Sequence, residues 1–300
     1  DGGAWSEETE VLRADRQIRS GLGIEYRGGG MLQPWYALRS DLKEYGRLRL
    51  SYTFDVEKIP AGPVYLAGER PELNSYRING VGLSDRADGF WVDDCFKKMR
   101  IPDGALKTGR NEITADVVFK RTTNVEALYL VGDFGVRLDG RRRVIVSAPE
   151  RMGCGSYAGY DMPFFTGNLT FELEPETYLP LVKDIAGGAD RIALAPASFT
   201  GACVRVAAAG RTEVLGWEPY EADVTQAVRL GLPIYVTVEG TRANVFGPLH
   251  ELPKPAGACG PDSFLTQGEN WTDGYSLMDS GISGFVFRAQ REISSSTLTP

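Results

Sequence analysis

Residues 210–250, GRTEVLGWEPYEADVTQAVRLGLPIYVTVEGTRANVFGPLH, decide the fold. A short apolar run over residues 203–207 precedes them. A glycine turn, Trp217, an Asp-Val-Thr corner at residues 223–225 and an alternating run over residues 234–238 then follow in order. Alternation of apolar and polar residues with a period of two indicates β-strands with one buried face. The stretch therefore predicts a strand-turn-strand unit.

An earlier stretch, residues 75–136, follows the same plan. It contains YRING, GFWVDDCFKKMRI, ALKTGRNEITADVVF and ALYLVGDFGV in that order. In both stretches a strand ends in a glycine-containing turn, a Trp lies in the loop beyond it, and an L-x-x-G-like turn leads into an alternating strand. Two copies of one β-sandwich unit are therefore predicted.

The Trp-containing loop, the Asp-Val-Thr corner and the GTRANVFGPLH strand end resemble the galactose-binding-like jelly rolls that accompany large bacterial glycoside hydrolases. The chain is similar to the sugar-binding domain of the β-galactosidase-like family and to modules of α-L-rhamnosidase-type proteins over most of residues 45–290. PFFTGNLTFELE at 163–174 and GPDSF to WTDGY at 260–275 resemble the borders of the second module. The resemblance implies a polysaccharide or oligosaccharide as a partner, a catalytic domain on the same parent chain, and an extracellular or periplasmic location.

Length and composition agree with two domains of about 130 to 150 residues. The 36 Gly and 17 Pro residues and the 10% of aromatic residues suit many short strands joined by tight turns. We therefore predict an all-β fold of two tandem antiparallel β-sandwich (jelly-roll) domains. The predicted divisions are a helix and linker at residues 1–44, a first sandwich at 45–146, a second at 147–293, and a disordered tail at 294–300.

Local patterns predict several elements. EETEVLRADRQIRSGLG at residues 7–23 predicts a short helix ended by Gly21. LRLSYTFDV at 48–56 alternates as a half-buried strand does, and Asn79-Gly80 is typical of a type I′ hairpin turn. ALYLVGDFGVRL at 127–138 predicts a nearly continuous apolar strand. In the linker, Trp35 and Tyr36 fit either a ligand platform or a plug on the first sandwich.

Net charge argues against a nucleic-acid partner, and the length of the apolar segments argues against a membrane span. The net charge of −7 and the pI near 5.0 oppose binding to nucleic acid, because phosphate contacts require clustered Lys and Arg. The basic run at 141–143 is interpreted as a solvated turn or an interdomain contact. No segment reaches the roughly 18 to 20 apolar residues of a membrane span. The opening DGGAWSEE shows no targeting signal, and its abrupt, acidic start leads us to expect a piece of a larger protein.

The sequence predicts no catalytic centre. Glycoside hydrolysis needs two facing carboxylates, and no pair among the acidic residues has a spacing that singles it out. The barrel on which such carboxylates sit in the family would need β/α alternation, which is absent. The single histidine, His250, is interpreted as a structural hydrogen-bonding residue. A glycosidase activity of the chain itself is kept as a less favoured alternative.

Cofactors are not predicted. Nucleotide motifs are absent, and one His with four scattered Cys residues opposes zinc. The Asp-rich DRADGFWVDD at 85–94 leaves a structural calcium open, although it lacks the ligand order of an EF-hand. Cys203 is predicted to be a small core residue, and a disulfide among the other three cysteines stays open.

Sugar sites pair an aromatic platform with hydrogen-bonding side chains. Three loops and the GTRAN segment offer such pairs. The candidate carbohydrate-binding residues are Trp91, Asp93, Asp94, Trp217, Tyr220, Arg242, Asn244, Trp271 and Tyr275. The competing interpretation is packing in a core or interface, which is favoured for Trp217 because that residue recurs in the fold motif. Arg242 and Asn244 fit the cap of a sheet edge equally well.

Together these patterns predict a non-catalytic carbohydrate-binding module pair from a larger glycoside hydrolase-type protein. The alternative is a structural accessory domain that packs on the catalytic domain of the parent chain and has no ligand of its own.

Overall fold

The computed structural model describes residues 4–28, 43–253 and 260–291. Among the described residues β-strands are the main regular structure, helices are few, and the sheets are largely antiparallel. The described residues form two compact units. One lies within Asp1–Pro149 and Phe246–Ser276, and the other within Glu150–Val245 and Leu277–Pro300.

The two units do not coincide with the predicted domains: α1, within the predicted separate segment 1–44, belongs to the first unit. The break after Pro149 lies close to the predicted border at residue 146. However, residues 246–276 belong to the first unit, whereas the prediction assigned them to the second sandwich. The first unit is therefore built from two separate stretches of the chain.

Helix α1, Val11–Leu22, opens the first unit. The carboxylate of Glu10 caps it by accepting from the backbone N–H groups of Leu12 and Arg13, which have no partner inside the helix. The predicted helix is present, but the predicted end is wrong. Gly21 lies inside α1, and Gly23 adopts the left-handed conformation (φ 66°) that ends it.

Two sheets make up the rest of the first unit. Their strands are β1 Glu44–Val56, β2 Tyr65–Glu69, β3 Asn74–Ile78, β4 Val81–Gly82, β5 Phe90–Trp91, β6 Asp93–Arg100, β7 Gly109–Lys120, β8 Tyr129–Val131, β9 Gly135–Asp139 and β10 Arg142–Val146. The six-stranded sheet has the order β4-β3-β7-β1-β10-β9, and the four-stranded sheet has the order β5-β6-β2-β8. β1 pairs with β7 in antiparallel and with β10 in parallel orientation.

The two sheets share one core. Leu66 and Met99 of the four-stranded sheet pack in the same buried cluster as Ile113, Ala115 and Val117 of β7. The apolar face of β1, predicted from its alternation, packs against this cluster. The hairpin turn between β3 and β4 is also confirmed as type I′, because Asn79 (φ 48°) and Gly80 (φ 84°) both have positive φ.

A buried ion pair fastens α1 to the first unit. Arg19 and Asp15 have essentially no exposed side-chain surface, and Arg19 Nε donates to Asp15 at 2.8 Å. The guanidinium also donates to the backbone carbonyls of Arg121 at 3.0 Å and Thr123 at 2.6 Å. Asp15 in turn accepts from the N–H of Val125 at 3.1 Å. The pair thereby satisfies backbone groups of the segment after β7.

Ten further strands and two helices form most of the second unit. The strands are β11 Gly155–Ser156, β12 Leu169–Leu173, β13 Arg191–Pro196, β14 Phe199–Thr200, β15 Cys203–Ala208, β16 Arg211–Leu215, β17 Ala222–Asp223, β18 Ile234–Glu239, β19 Gly281–Ile282 and β20 Phe285–Gln290. The helices are α2 Pro175–Ala186 and α3 Thr225–Leu230. A one-turn helix, α4, spans Ala243–Phe246, where the chain passes from one unit to the other.

The sheets of the second unit are antiparallel and small. Their orders are β12-β18-β15-β16, β17-β13-β20 and β11-β19-β14. Inward-facing Val204, Val236 and Val238 pack with Ile192 and Leu194 of the second sheet in one buried cluster. The strands predicted at residues 203–207 and 234–238 are confirmed.

The Asp-Val-Thr corner at residues 223–225 joins two elements of this core. Thr225 Oγ1 accepts from the N–H of Ile192 at 2.7 Å and donates to Asp223 at 2.6 Å. Asp223 also accepts from the N–H of Thr225 at 2.9 Å, which places a side-chain acceptor at the start of α3. The corner therefore has a structural role.

One predicted strand is wrong, and one helix was not predicted. The predicted single strand at 127–138 is wrong, because β8 and β9 lie in different sheets with a turn at residues 132–134 between them. Helix α2 had no predicted counterpart. The predictions for Trp35, Tyr36, Cys259 and the 294–300 tail lie outside the described residues.

None of the helices in the described part of the chain is both long and apolar enough to cross a membrane.

Candidate functional site

Trp91 lies in a cluster of four aromatic rings, which we call the Trp91 cluster. Its other members are Phe96, Tyr129 and Phe246. The ring centroids of Tyr129 and Phe246 lie 5.1 and 5.6 Å from that of Trp91, and Phe246 stacks on Phe96 at 5.1 Å. All four side chains are half-buried. Trp91 therefore packs on its neighbours and presents only part of its ring to solvent.

The residue after Trp91 has an unusual conformation. Val92 has φ 67°, a region that β-branched residues rarely occupy. It forms the tight connection in which Trp91 of β5 pairs with Asp93 of β6. This turn points Trp91 towards the ring of Phe96.

The two acidic residues predicted beside Trp91 already bind nearby groups of the protein. Asp93 accepts from the backbone N–H of Cys95 at 3.0 Å, and this bond lowers the pKa of its carboxyl. Asp94 pairs with Lys97 at 2.5 Å. The Cys95 thiol has its pKa raised to about 11 by desolvation and by Asp93.

Three other polar side chains lie beside the Trp91 cluster, and we call them the Arg27 group: Arg27, Glu69 and Glu126. Arg27 forms a close ion pair with Glu126, and the two side chains are only 13% and 22% exposed. Desolvation and the neighbouring Glu126 raise the pKa of the Glu69 carboxyl, with Asp93 adding to the effect and Arg27 opposing it. Burial, Glu126 and Glu69 likewise raise the pKa of the Tyr129 hydroxyl.

Trp271 belongs to a second aromatic group in the first unit. The Arg13 guanidinium lies 4.8 Å from its ring centroid, and the ring of His250 stacks at 6.2 Å. Tyr275 is half-buried with its ring 5.2 Å from that of His250. His250 Nδ1 lies 3.1 and 3.0 Å from the carbonyl oxygens of Thr272 and Gly274. The ring of Trp271 is thus covered by neighbours, and His250 has the structural role that was predicted.

Trp217 has a different environment. Its side chain is 79% exposed, on the loop between β16 and β17 of the second unit. Of the two packing interpretations favoured from the sequence, a core residue or an interface residue, the first is wrong, because Trp217 does not lie in the core of this unit. Its predicted neighbour Tyr220 instead packs inward, with its ring 5.2 Å from that of Phe199 and at a right angle to it.

The GTRAN segment divides into one exposed and one buried residue. Arg242 is exposed. Asn244 is buried, donates to the carbonyl of Pro163 at 3.1 Å and that of Met278 at 2.9 Å, and accepts from the Met278 N–H at 2.7 Å. These bonds hold three separate segments of the second unit together. Asn244 therefore has no surface to offer a ligand.

Metal and thiol chemistry has little support in the described residues. Within residues 4–28, 43–253 and 260–291, no three His, Cys, Asp or Glu side chains are placed to hold a metal ion. Cys95, Cys154 and Cys203 are free thiols, of which Cys203 is half-buried.

Sequence reasoning missed the Arg27 group. Glu69 could have been found from the alternation of Tyr65, Ala67 and Glu69, which places it on the face of β2 opposite Leu66. Arg27 and Phe246 carry no local signal, because their positions depend on contacts between distant parts of the chain.

No family model matches the chain, and no curated protein matches it.

Proposed function

We propose that the chain is a non-catalytic, carbohydrate-binding pair of jelly-roll domains from a larger glycoside hydrolase-type protein, with the Trp217 loop as its main glycan platform. The observation that carries the proposal is the exposure of 79% of the Trp217 side chain. An exposed indole gains free energy when apolar surface covers it, and the C–H face of a sugar ring provides such a surface. The two sheets that share a core in each unit support the jelly-roll assignment.

Polar side chains near Trp217 in the sequence suit sugar hydroxyls. Glu218 is exposed beside it. Glu221 forms a close ion pair with Arg288 and lies 3.8 Å from Arg191. A carboxylate held by arginines accepts hydrogen bonds in a fixed geometry, so this loop combines a platform with a fixed acceptor.

Affinity gel electrophoresis against a panel of soluble polysaccharides tests the proposal. Wild type should be retarded by at least one glycan, and Trp217→Ala should weaken that binding by about tenfold or more, which equals about 1.4 kcal/mol. Trp5→Ala is the matched control, because Trp5 is also largely exposed, at 62%, but lies in the other unit. Equal losses in both variants, or no loss in either, would refute the Trp217 platform.

A structural accessory domain is the second candidate. A groove of about 610 Å³ in the second unit is lined by apolar side chains, including Leu179, Val182 and Val228, and Leu181 and Leu230 are exposed. Such a surface suits docking on the catalytic domain of the parent chain. A folded protein that no glycan retards would favour this candidate. Release of the aryl group from aryl-glycosides would instead indicate a glycosidase.

A further inference from the structure

The four-stranded sheet of the first unit has a face turned away from the core. Leu66 and Met99 pair across β2 and β6 and are buried in the core. Because side chains alternate along a strand, Glu69 and its register partner Phe96 lie on the opposite face. Tyr129, paired with Ala67, lies on that face too. Glu69, Phe96 and Tyr129 therefore share one outward surface, and the ring of Trp91 packs on that of Tyr129.

This surface contains a hydrogen-bond donor without an acceptor. Arg27 Nη2 donates to Glu126, but Arg27 Nη1 is buried and has no hydrogen-bond partner among the described residues. An unpaired buried N–H costs free energy, so a small movement of the 13% exposed Arg27 side chain that brings Nη1 against a ligand hydroxyl is favoured. The carboxylate of Glu69 stands close enough to interact electrostatically with Arg27 and Glu126, and it is exposed to solvent.

An unpaired donor and an acceptor that interacts with it electrostatically match the chemistry of a diol. One hydroxyl accepts from Arg27 Nη1, and its neighbour donates to Glu69. The C–H face of the same sugar can rest on the exposed parts of Trp91 and Tyr129, whose rings are 5.1 Å apart.

Charge limits which sugars suit this surface. The carboxylates of Glu69, Glu126 and Asp93 interact there with the guanidinium of Arg27. Two further cations lie on the same face: Lys98, with Nζ 4.7 Å from the ring centroid of Tyr65, and Arg100, whose charge is balanced by Asp103 at 3.2 Å. Even with Lys98 included, the surface carries an excess negative charge, which repels an anionic ligand.

We propose that Arg27, Glu69, Trp91 and Tyr129 form a second glycan site, in the first unit, which takes neutral sugars with adjacent hydroxyls and discriminates against uronic acids. This inference rests on the proposed function, because it assumes that the chain binds glycans.

The test measures binding of neutral and uronate oligosaccharides to the full chain by isothermal titration calorimetry in a Trp217→Ala background, which removes the first platform. Residual binding of a neutral oligosaccharide is expected, weakened about tenfold or more by adding Glu69→Ala. Glu72→Ala is the control, because Glu72 is exposed, carries the same charge and lies in the turn just after β2. It should leave the residual binding unchanged. Uronate oligosaccharides should bind more weakly than neutral ones, and Glu69→Gln should narrow that difference.

Two results would overturn the inference, and they are distinguishable from failure of the proposed function. Loss of all binding in Trp217→Ala, when wild type binds, would eliminate the second site and leave the first. Equal effects of Glu69→Ala and Glu72→Ala would show that only overall charge matters. Absence of binding in wild type would refute the proposed function itself and the second site with it. Since Glu69 is exposed, its replacement should preserve folding, and an unchanged circular dichroism spectrum checks this.

Discussion

Arg19 is the largest fully buried side chain in the described part of the chain, and its charge is balanced there by Asp15 alone among carboxylates. Removing one partner of a buried pair leaves an uncompensated charge in a region of low dielectric. We expect Asp15→Asn to lower the free energy of unfolding of the first unit by about 3 to 5 kcal/mol, as measured by urea denaturation.

The control for Asp15→Asn is Asp116→Asn, which breaks the exposed pair of Arg49 and Asp116. Solvent screens that pair, so its loss should change the unfolding midpoint little. Equal midpoints for the two variants would show that the buried pair contributes no more than a surface pair.

Glu69 makes the stability of the first unit depend on pH, and the direction of that dependence can be stated. Its pKa is raised in the folded protein, first by desolvation and then by Glu126, so the folded state holds the proton more tightly than the unfolded state does. The free energy of unfolding should therefore fall as pH rises from the ordinary carboxyl range, about pH 4.3, through the raised pKa.

Glu69→Gln removes this titration. The variant should be more stable than wild type at pH 7, and its advantage should shrink as pH falls to about 4. Urea unfolding midpoints across this range measure the difference, with Glu72→Gln as the control. An advantage that is constant or grows at low pH would contradict the assigned cause.

At the scale of elements, the Asp-Val-Thr corner stabilises the second unit through the hydroxyl of Thr225, and replacing this residue tests that role. Thr225→Val keeps the shape of the side chain but leaves the buried N–H of Ile192 without its 2.7 Å acceptor. The expected loss is about 1 to 3 kcal/mol in the second unit. Thr212→Val is the control, because Thr212 lies at an exposed position of β16. A loss no larger than that of the control would show that the corner does not depend on the hydroxyl.

Alternation and turn chemistry predicted the elements that depend on neighbouring residues. Leu48 and Leu50 of β1 face the core because a strand turns every second side chain the same way. Asn79-Gly80 forms its turn because both residues tolerate positive φ. The run at 127–138 misled because it is apolar throughout, and a continuous apolar run does not show where one strand ends and the next begins.

The candidate site was less predictable than the elements. The sequence pattern indicated Asp93 and Asp94 beside Trp91, but the contact of Phe246 with Trp91 and the ion pair of Arg27 with Glu126 join distant parts of the chain. Trp217 shows the opposite error. Its recurrence in a fold motif suggested packing, yet the loop after β16 leaves most of its side chain exposed. Periodicity describes strands, and this residue lies beyond the end of one.

At the scale of the whole molecule, the first unit is completed by a distant part of the chain. Phe246 contributes a ring to the Trp91 cluster, and Trp271 lies beneath the Arg13 guanidinium. A fragment of residues 1–149 lacks both contacts. We expect that fragment to bind more of a hydrophobic dye, and to unfold at lower urea, than the same fragment joined to residues 246–276 by a flexible linker. Equal behaviour of the two would show that residues 246–276 do not stabilise the unit.

The proposed function depends on which indole a glycan covers, and nitrogen-15 labelling of the tryptophan indoles measures this directly. The protein has five tryptophans, each with one indole N–H resonance, and replacement of each by Phe assigns them. During titration with an oligosaccharide chosen from the polysaccharide panel, the Trp217 resonance should shift saturably while that of Trp271 stays in place. A folded protein in which the Trp217 resonance does not move with any glycan would contradict the proposed platform.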